Sequence, residues 1–201
     1  MTIANMSKKF WKHLRTVQTH RKWVRRYCWG MGLYRQGLTH DLSKYSPTEF
    51  MESVRFYQGT SSPIDAAKKA KGYSDAWFHH KGRNKHHYEY WMDNFDLGGE
   101  NIVMPYKYFA EMVCDYLAAG RAYMGKNFSY TAEYEWWQNK RRMTAMNPRM
   151  VTALDIIFWD LMKAETEGHY TPKSLLTDKS YIRAVYSANC TDTTWGRAML
   201  D

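Results

Sequence analysis

The His40-Asp41 pair combines two residue types that can bind a metal ion, and Lys44 follows it three residues later. An imidazole nitrogen and a carboxylate oxygen can coordinate the same divalent ion. The pair alone is weak evidence, because dipeptides recur by chance. Two further doublets, His79-His80 and His86-His87, contain four of the eight histidines in the chain. The sequence therefore predicts a metal site that draws its ligands from separate segments.

Both doublets lie in one aromatic-rich stretch, residues 75–91, in which Gly82 and Asn84 predict a turn. One doublet would then end a helix, and the other would begin the next. Four histidines within nine residues favour metal binding by at least one member of each doublet. The other member could contact a substrate phosphate or a second carboxylate. Arg83 and Lys85 lie between the doublets and are candidate substrate-phosphate contacts, although a solvated turn is an equally open interpretation.

A long helix predicted over residues 7–28 carries His20 within an apolar stripe. Val17 lies three residues before His20 and Val24 four residues after it, a spacing that places all three on one helix face. A histidine in such a stripe is more often a core residue than a ligand. Both interpretations of His20 stay open at this point.

A later helix, predicted over residues 104–124, carries Asp115 beside its apolar stripe, with Glu111 one turn earlier on the same side. A carboxylate near a core face costs several kcal/mol unless it is paired. Asp115 therefore needs a metal ion, a cation or hydrogen bonds. A salt bridge to an arginine is the alternative to metal binding.

The remaining periodic segments predict an all-α bundle of about seven to nine helices, in one domain spanning residues 1–201. Ser46, Pro47 and Glu49 have the order of an N-cap, a first-turn proline and a first-turn acid, which predicts a helix start. Another helix is predicted from Ser62-Pro63 towards His80. Strand patterns are scarce. The other predicted elements are a surface loop at residues 93–101 and helices at residues 130–146, 148–165 and 171–188.

The composition predicts a folded cytoplasmic protein. Hydrophobic residues make up 44% of the chain and aromatic residues 16%, which argues against disorder. No apolar run is long enough to predict a membrane span, and the N-terminal residues lack the apolar region of a signal peptide. The three cysteines are widely spaced and odd in number, so we expect reduced thiols and not zinc ligands.

The formal net charge of +9 favours an anionic partner. The excess of basic residues is distributed over residues 8–26, 68–85 and 140–142. It is compatible with a solvated basic surface, with nucleic-acid binding, or with attraction of an anionic small-molecule substrate such as a nucleotide. Nothing in the pattern indicates an oligomeric state.

Together these residues resemble the HD superfamily, whose members are all-helical metal-dependent phosphohydrolases. The resemblance rests on a histidine in an early helix, a His-Asp pair followed by a lysine, further histidines and a late helical aspartate. It covers roughly residues 13–120 as an HD-like core, and residues 130–188 would form a helical C-terminal extension. The stretch from His79 to Trp91 also resembles a family of small bacterial and phage proteins without assigned function.

The resemblance implies one or two divalent ions, of manganese, iron, zinc, magnesium or nickel. It implies catalytic roles for Asp41 and Lys44, with substrate phosphate held by Lys44 and, if the turn residues take part, by Arg83 and Lys85. The implied metal ligands are His20, His40, Asp41 and Asp115, with additional ligands from His79, His80, His86 and His87. The implied reaction is hydrolysis of a phosphoester or phosphoanhydride of a nucleotide or another phosphorylated small molecule.

Two features of the sequence depart from the pattern of the superfamily. Ser43 replaces the glycine that usually precedes the lysine. The doublets are closer together than in the cyclic-dinucleotide phosphodiesterase branch, and its glycine-tyrosine-proline signature is absent, so we do not expect that substrate.

Two other functions remain as alternatives. The superfamily that the chain resembles also includes di-iron oxygenases, and the extra histidines favour this alternative. The second alternative is a basic helical nucleic-acid-binding protein with structural histidines.

Overall fold

The computed structural model describes residues 3–92, 96 and 101–190, and over these residues the protein is all-α, with a single isolated bridge between Met92 and Asn101. The predicted all-α helical bundle is confirmed. The ten α-helices of the described residues are α1 (Ile3–Gly30), α2 (Tyr34–Thr39), α3 (Pro47–Phe56), α4 (Pro63–Lys71), α5 (Asp75–Lys81), α6 (Tyr106–Met124), α7 (Tyr130–Lys140), α8 (Pro148–Thr166), α9 (Pro172–Thr177) and α10 (Tyr181–Cys190). Short 3₁₀ turns connect several of them, including Leu42–Tyr45 and Tyr88–Trp91.

The start of α3 confirms the predicted cap. Ser46 accepts a hydrogen bond from the Glu49 backbone N–H through its side chain, and Pro47 occupies the first helical position. Proline loses nothing there, because the first N–H groups of a helix have no partner within the helix. This cap fixes where Glu49 lies, and Glu49 contacts the histidines described below.

Two predicted helices are each divided into a pair, and these divisions together with the short helix α2, which the sequence did not predict, bring the count to ten. The helix expected from Pro63 to His80 ends at Gly72, whose φ of +83° is a left-handed conformation that favours glycine. Ser74 then caps α5 by accepting from the Trp77 N–H. In the last helix, Asp178 Oδ1 accepts from the backbone and side chain of Ser180, and this local turn separates α9 from α10.

Helix α6 lies at the centre of the bundle and packs along α1. Its core-side residues Phe109, Met112 and Val113 are completely buried. The hydrophobic core continues from α6 into α7, α8, α9 and α10. The free thiols of Cys28, Cys114 and Cys190 are all buried. Two long helices, α1 and α6, therefore provide the frame on which the shorter segments 34–45 and 75–91 are held.

Several predictions concern residues or divisions that the structure does not test. Most of the loop predicted at residues 93–101 lies outside the described residues, as do the ends of the domain predicted over residues 1–201. The division into an HD-like core and a C-terminal extension stays a prediction. In the described part of the chain, no helix combines the length and the apolar character needed to cross a lipid bilayer.

Candidate metal centre

Asp41 lies at the centre of a buried cluster of histidines and acids. It directly precedes the 3₁₀ turn Leu42–Tyr45 and has φ 54° and ψ 29°, so it is left-handed and is the non-glycine residue with positive φ among those described. Such a conformation costs of order 1–3 kcal/mol and tends to occur at functional sites. Its side chain is completely buried. This strained backbone conformation therefore directs the Asp41 carboxylate into the buried cluster.

The two oxygens of Asp41 face different sets of residues. Oδ2 lies 3.4 Å from His20 Nε2 and 3.2 Å from His40 Nε2. Oδ1 lies 3.3 Å from His80 Nε2 and 3.4 Å from His86 Nε2. A single carboxylate thus links histidines of α1 and of the segment after α2 with histidines of α5 and of the following turn.

The first set, which we call the Asp115 group, is formed by His20, His40, Asp41 and Asp115. Asp115 Oδ1 lies 3.0 Å from His20 Nε2 and 3.3 Å from His40 Nε2. All four residues are buried. His20 therefore faces two carboxylates and does not serve only to fill the core.

The second set, the His87 group, is formed by Asp41, His80, His86 and His87. His80 Nε2 lies 2.9 Å from His87 Nε2. Both members of the second doublet thus belong to this group, but only His80 of the first doublet does. Among the described residues, His79 is in none of the groups with ligand spacing, and its Nδ1 lies 2.6 Å from Glu49 Oε1.

The Asp115 group has the spacing of a metal coordination shell. Ligand atoms about 2.1 Å from an ion lie roughly 3.0–3.4 Å apart in octahedral or tetrahedral geometry. The separations between its facing nitrogen and oxygen atoms are 3.0–3.4 Å. In addition, Asp41 Oδ1 and His86 Nε2 are buried without a hydrogen-bond partner. Buried polar atoms are normally satisfied, so these residues fit a metal ion.

Two glutamates contact the outer nitrogens of these histidines. Glu111 Oε1 lies 2.9 Å from His40 Nδ1 and 3.3 Å from His86 Nδ1. Glu49 Oε2 lies 2.7 Å from His80 Nδ1. Carboxylates in this position fix the tautomer and orientation of a metal-binding imidazole. The Nε2 atoms of His40 and His80 thereby face Asp41.

Further side chains hold the His40–Lys44 segment in place. Arg21 donates from Nε to the His40 carbonyl at 2.8 Å and from Nη2 to the Leu38 carbonyl at 3.0 Å. Ser43, at the position of the usual glycine, accepts from Asn84 Nδ2 at 2.8 Å, and its hydroxyl lies 3.2 Å from His80 Nδ1. The serine therefore joins this segment to the turn between the two histidine doublets.

The charges in the cluster favour ionised acids. Burial raises the pKa of Asp41, but the neighbouring charges of His40 and Lys44 outweigh it and hold that pKa well below its usual range. Burial likewise opposes ionisation of Asp115, whose pKa is held low by hydrogen bonds from His20 and His40. Lys44 Nζ lies 2.6 Å from Asp41 Oδ2. Although burial lowers the pKa of Lys44, the two aspartates raise it overall, so this lysine stays charged.

The surroundings of His87 favour its neutral form. Burial lowers the pKa of His87 well below its usual value, and the nearby His86 and His80 lower it further. An imidazole with this pKa is neutral at pH 7 and has a nitrogen lone pair available. Neutral imidazole is the form that binds metal ions.

Two cavities adjoin the cluster on different sides. The aromatic cavity, about 260 Å³, is lined by Lys44, by cluster residues including His20 and Asp115, and by the rings of Trp77, Tyr88, Tyr116 and Trp136. The basic cavity, about 470 Å³, is lined by His40, His86 and Glu111 and by Arg35, Arg83, Lys85 and Lys107. The three predicted substrate contacts are thus divided, because Lys44 lies at one cavity and Arg83 and Lys85 at the other.

Sequence reasoning missed the roles of Glu49 and Glu111. Glu49 was recognised only as the acid in a helix cap, and the contact with His80 spans 31 residues of sequence. Glu111 was noted one turn before Asp115, but its partner His40 is 71 residues away. A pair of acids on the buried side of one helix was the available signal for Glu111. No local pattern could have assigned Glu49 to a histidine.

In a comparison with known protein families, residues 9–158 match a family of unknown function (DUF5662). The matched region includes all residues of the Asp115 and His87 groups. Neither curated proteins nor solved structures gave a match to the chain.

Proposed function

The chain belongs to the DUF5662 family of unknown function, and we propose that it is a cytoplasmic, metal-dependent phosphohydrolase of the HD type. Its substrate would be a nucleotide or another phosphorylated small molecule. The observation that carries the proposal is the Asp41 carboxylate, which faces one ligand group with each oxygen and has Lys44 beside it. Two ligand groups that share a carboxylate suit a pair of divalent ions.

The residues of the chain would act as follows. Asp41 would contribute Oδ2 to the Asp115 group and Oδ1 to the His87 group. Glu111 and Glu49 would keep the imidazoles of His40 and His80 in the orientation that binds metal. Bound divalent ions would supply an activated water and would neutralise charge on the phosphoryl oxygens.

Lys44 would contact the phosphoryl group directly. It lines the aromatic cavity, through which a substrate can approach the cluster. A lysine ammonium is a compact positive charge, and such a charge stabilises the negative charge that develops on a reacting phosphate. The expected class of reaction is hydrolysis of a phosphoester or phosphoanhydride.

The ligand set narrows the choice of metal ion. Imidazole suits zinc, iron and nickel and is also compatible with manganese, whereas magnesium prefers oxygen ligands. The three histidines of the His87 group also favour a second candidate, a di-iron oxygenase of the HD type. We place hydrolysis first, because Lys44 adjoins the site and the chain is strongly basic.

Phosphate release by purified, manganese-loaded protein tests the proposed function. We expect hydrolysis of p-nitrophenyl phosphate or of members of a nucleotide panel, and we expect Lys44→Met to lower kcat by roughly 100-fold. Absence of phosphate release with manganese, zinc, iron, nickel and magnesium would overturn the hydrolase. Bound iron with an optical absorption band, in the absence of phosphate release, would favour the oxygenase.

A further inference from the structure

The aromatic cavity extends from the candidate metal centre to groups that the proposed reaction does not use. His20, Lys44 and Asp115 line one part of it, and Glu89, Lys68 and several aromatic rings line other parts. A phosphate held at the metal centre would leave the remainder of the substrate in this cavity. The lining therefore indicates what the remainder must be, and this inference rests on the proposed function.

Two oppositely charged side chains in the lining are held apart. Glu89 Oε2 is buried and has no hydrogen-bond partner. Lys68 is half-buried, and in the described part of the chain it forms no salt bridge with Glu89 or with Asp65. Its Nζ lies 4.6 Å from the centroid of the Trp77 ring. The cavity thus presents a carboxylate acceptor and an ammonium donor that do not satisfy each other.

A buried polar side chain elsewhere in the lining is also unsatisfied. His13 is only 6% exposed, and its Nδ1 has no hydrogen-bond partner. Buried polar atoms without partners are rare in folded proteins and need an explanation. Glu89 and His13 line the same cavity, so a ligand with its own hydrogen-bonding groups would satisfy both atoms.

Aromatic rings form another part of the lining. Trp77, Tyr88, Tyr116 and Trp136 all border the cavity, and the Tyr116 and Trp136 rings lie 5.3 Å apart in an edge-to-face arrangement. Base–aromatic stacking is a common means of holding single nucleotides. A sugar phosphate has hydroxyl groups but no π face, and an acyl chain has neither.

We propose that the aromatic cavity is a nucleobase subsite, in which Glu89 accepts a hydrogen bond from a base N–H and Lys68 donates to a base carbonyl oxygen or ring nitrogen. A carboxylate can only accept and an ammonium can only donate. The edge of a nucleobase carries both complementary groups. The proposal thereby selects nucleotides from among the phosphorylated small molecules.

Equilibrium binding to the metal-loaded full chain tests the subsite without requiring turnover. The probes are the four common nucleoside 5′-monophosphates, ribose 5-phosphate and inorganic phosphate, measured by calorimetry. We expect at least one nucleoside monophosphate to bind roughly tenfold or more tightly than ribose 5-phosphate. Glu89→Gln should remove most of this difference and leave the affinity for ribose 5-phosphate unchanged. Glu135→Gln, at an exposed position, is the matched control.

A second variant, Trp136→Ala, keeps the test decisive if Glu89→Gln does not fold. Trp136 is 41% exposed and lines the cavity, so Trp136→Ala should fold and should also weaken nucleotide binding more than ribose 5-phosphate binding. Equal affinities of nucleotides and ribose 5-phosphate would overturn the nucleobase subsite. Equal losses for both probes in Glu89→Gln and Trp136→Ala would overturn it as well.

The outcomes separate this inference from the proposed hydrolase. Tight nucleotide binding that depends on Glu89, without phosphate release, would support the nucleobase subsite and contradict the proposed phosphohydrolase activity. Hydrolysis that proceeds equally well with p-nitrophenyl phosphate, ribose 5-phosphate and all nucleotides, with no contribution from Glu89, would support the hydrolase and contradict the subsite.

Discussion

Glu111 Oε1 lies 2.9 Å from His40 Nδ1, and the other nitrogen of the same ring, His40 Nε2, lies 3.2 Å from Asp41 Oδ2. Although burial lowers the pKa of His40, the acids Asp41, Asp115 and Glu111 together raise it. Without a metal ion His40 is therefore protonated, and a metal ion would displace the proton on Nε2 while Nδ1 keeps its hydrogen bond to Glu111. Glu111 on α6 therefore orients the His40 ring so that its Nε2 atom faces the candidate metal site.

Removal of the outer acid should weaken metal binding without removing a proposed ligand. We expect Glu111→Ala to lower the affinity for manganese or zinc by about 10- to 100-fold, the usual effect of losing such a partner. Glu111→Gln should lose less, because its amide oxygen can still accept from His40. Competition with a chelating dye measures the affinity, and Glu135→Ala is a surface control. Unchanged affinity in Glu111→Ala would contradict this role.

The two cavities predict different effects for the basic residues. Lys44 should matter for turnover, whereas Arg83→Ala and Lys85→Ala should change KM by less than about twofold, because both residues line the basic cavity on another side of the cluster. Steady-state kinetics on one phosphomonoester compares the three variants. A large rise in KM for Arg83→Ala or Lys85→Ala would instead place substrate at the basic cavity.

Ser43 should contribute to stability through its contact with the turn between the doublets. We expect Ser43→Gly to lower the free energy of unfolding by about 1 kcal/mol, because the Asn84 amide loses one of its acceptors and glycine gains freedom in the unfolded chain. Urea denaturation of the metal-free protein measures this directly. Stability equal to that of the parent protein would show that the hydroxyl is dispensable.

Glu133, remote from the cluster on α7, should make stability depend on pH. Burial raises the pKa of this carboxyl from 4.5 to about 8, against the opposing charge of Arg121. Between these values the folded state holds a proton that the unfolded state has released. The contribution of Glu133 to stability should therefore be fully present below pH 4.5 and should be lost as the pH rises to about 8, with a slope of up to about 1.4 kcal/mol per pH unit.

The Glu133→Gln variant isolates that contribution. A neutral amide cannot ionise, so the stability of the variant relative to the parent protein should be lowest below pH 4.5 and should rise steadily up to about pH 8. Thermal unfolding at several pH values, with Glu135→Gln as the control, provides the comparison. A constant difference between Glu133→Gln and the parent protein at all pH values would contradict the raised pKa.

The cluster residues could be predicted from sequence because their types and helix positions are local properties. The periodicity of α1 and α6 placed His20 and Asp115 on buried faces, and the structure brings both within 3.4 Å of partner atoms. Which histidine of the first doublet faces Asp41 could not be predicted, because that depends on how α5 rotates against α3. There Glu49 contacts both His79 and His80, but only His80 also reaches Asp41.

Long-range contacts and turn geometry account for what the sequence did not reveal. The separation of Lys44 from Arg83 and Lys85 follows from where the turn after α5 is held, and Trp91 Nε1 fixes that turn by donating to the Lys85 carbonyl. The break at Gly72 was overlooked in a segment that otherwise resembles one helix. A glycine followed two residues later by Ser74, a good N-cap, was the available signal.

Metal content tests the central claim, a shared Asp41 carboxylate between two ligand groups, most directly. Protein purified without chelator should contain one or two divalent transition-metal ions per chain by elemental analysis. Asp41→Ala should contain almost none, although its circular dichroism stays helical. A metal-free parent protein that takes up none of manganese, iron, zinc or nickel would contradict the account, and so would an Asp41→Ala variant that retains the full metal content.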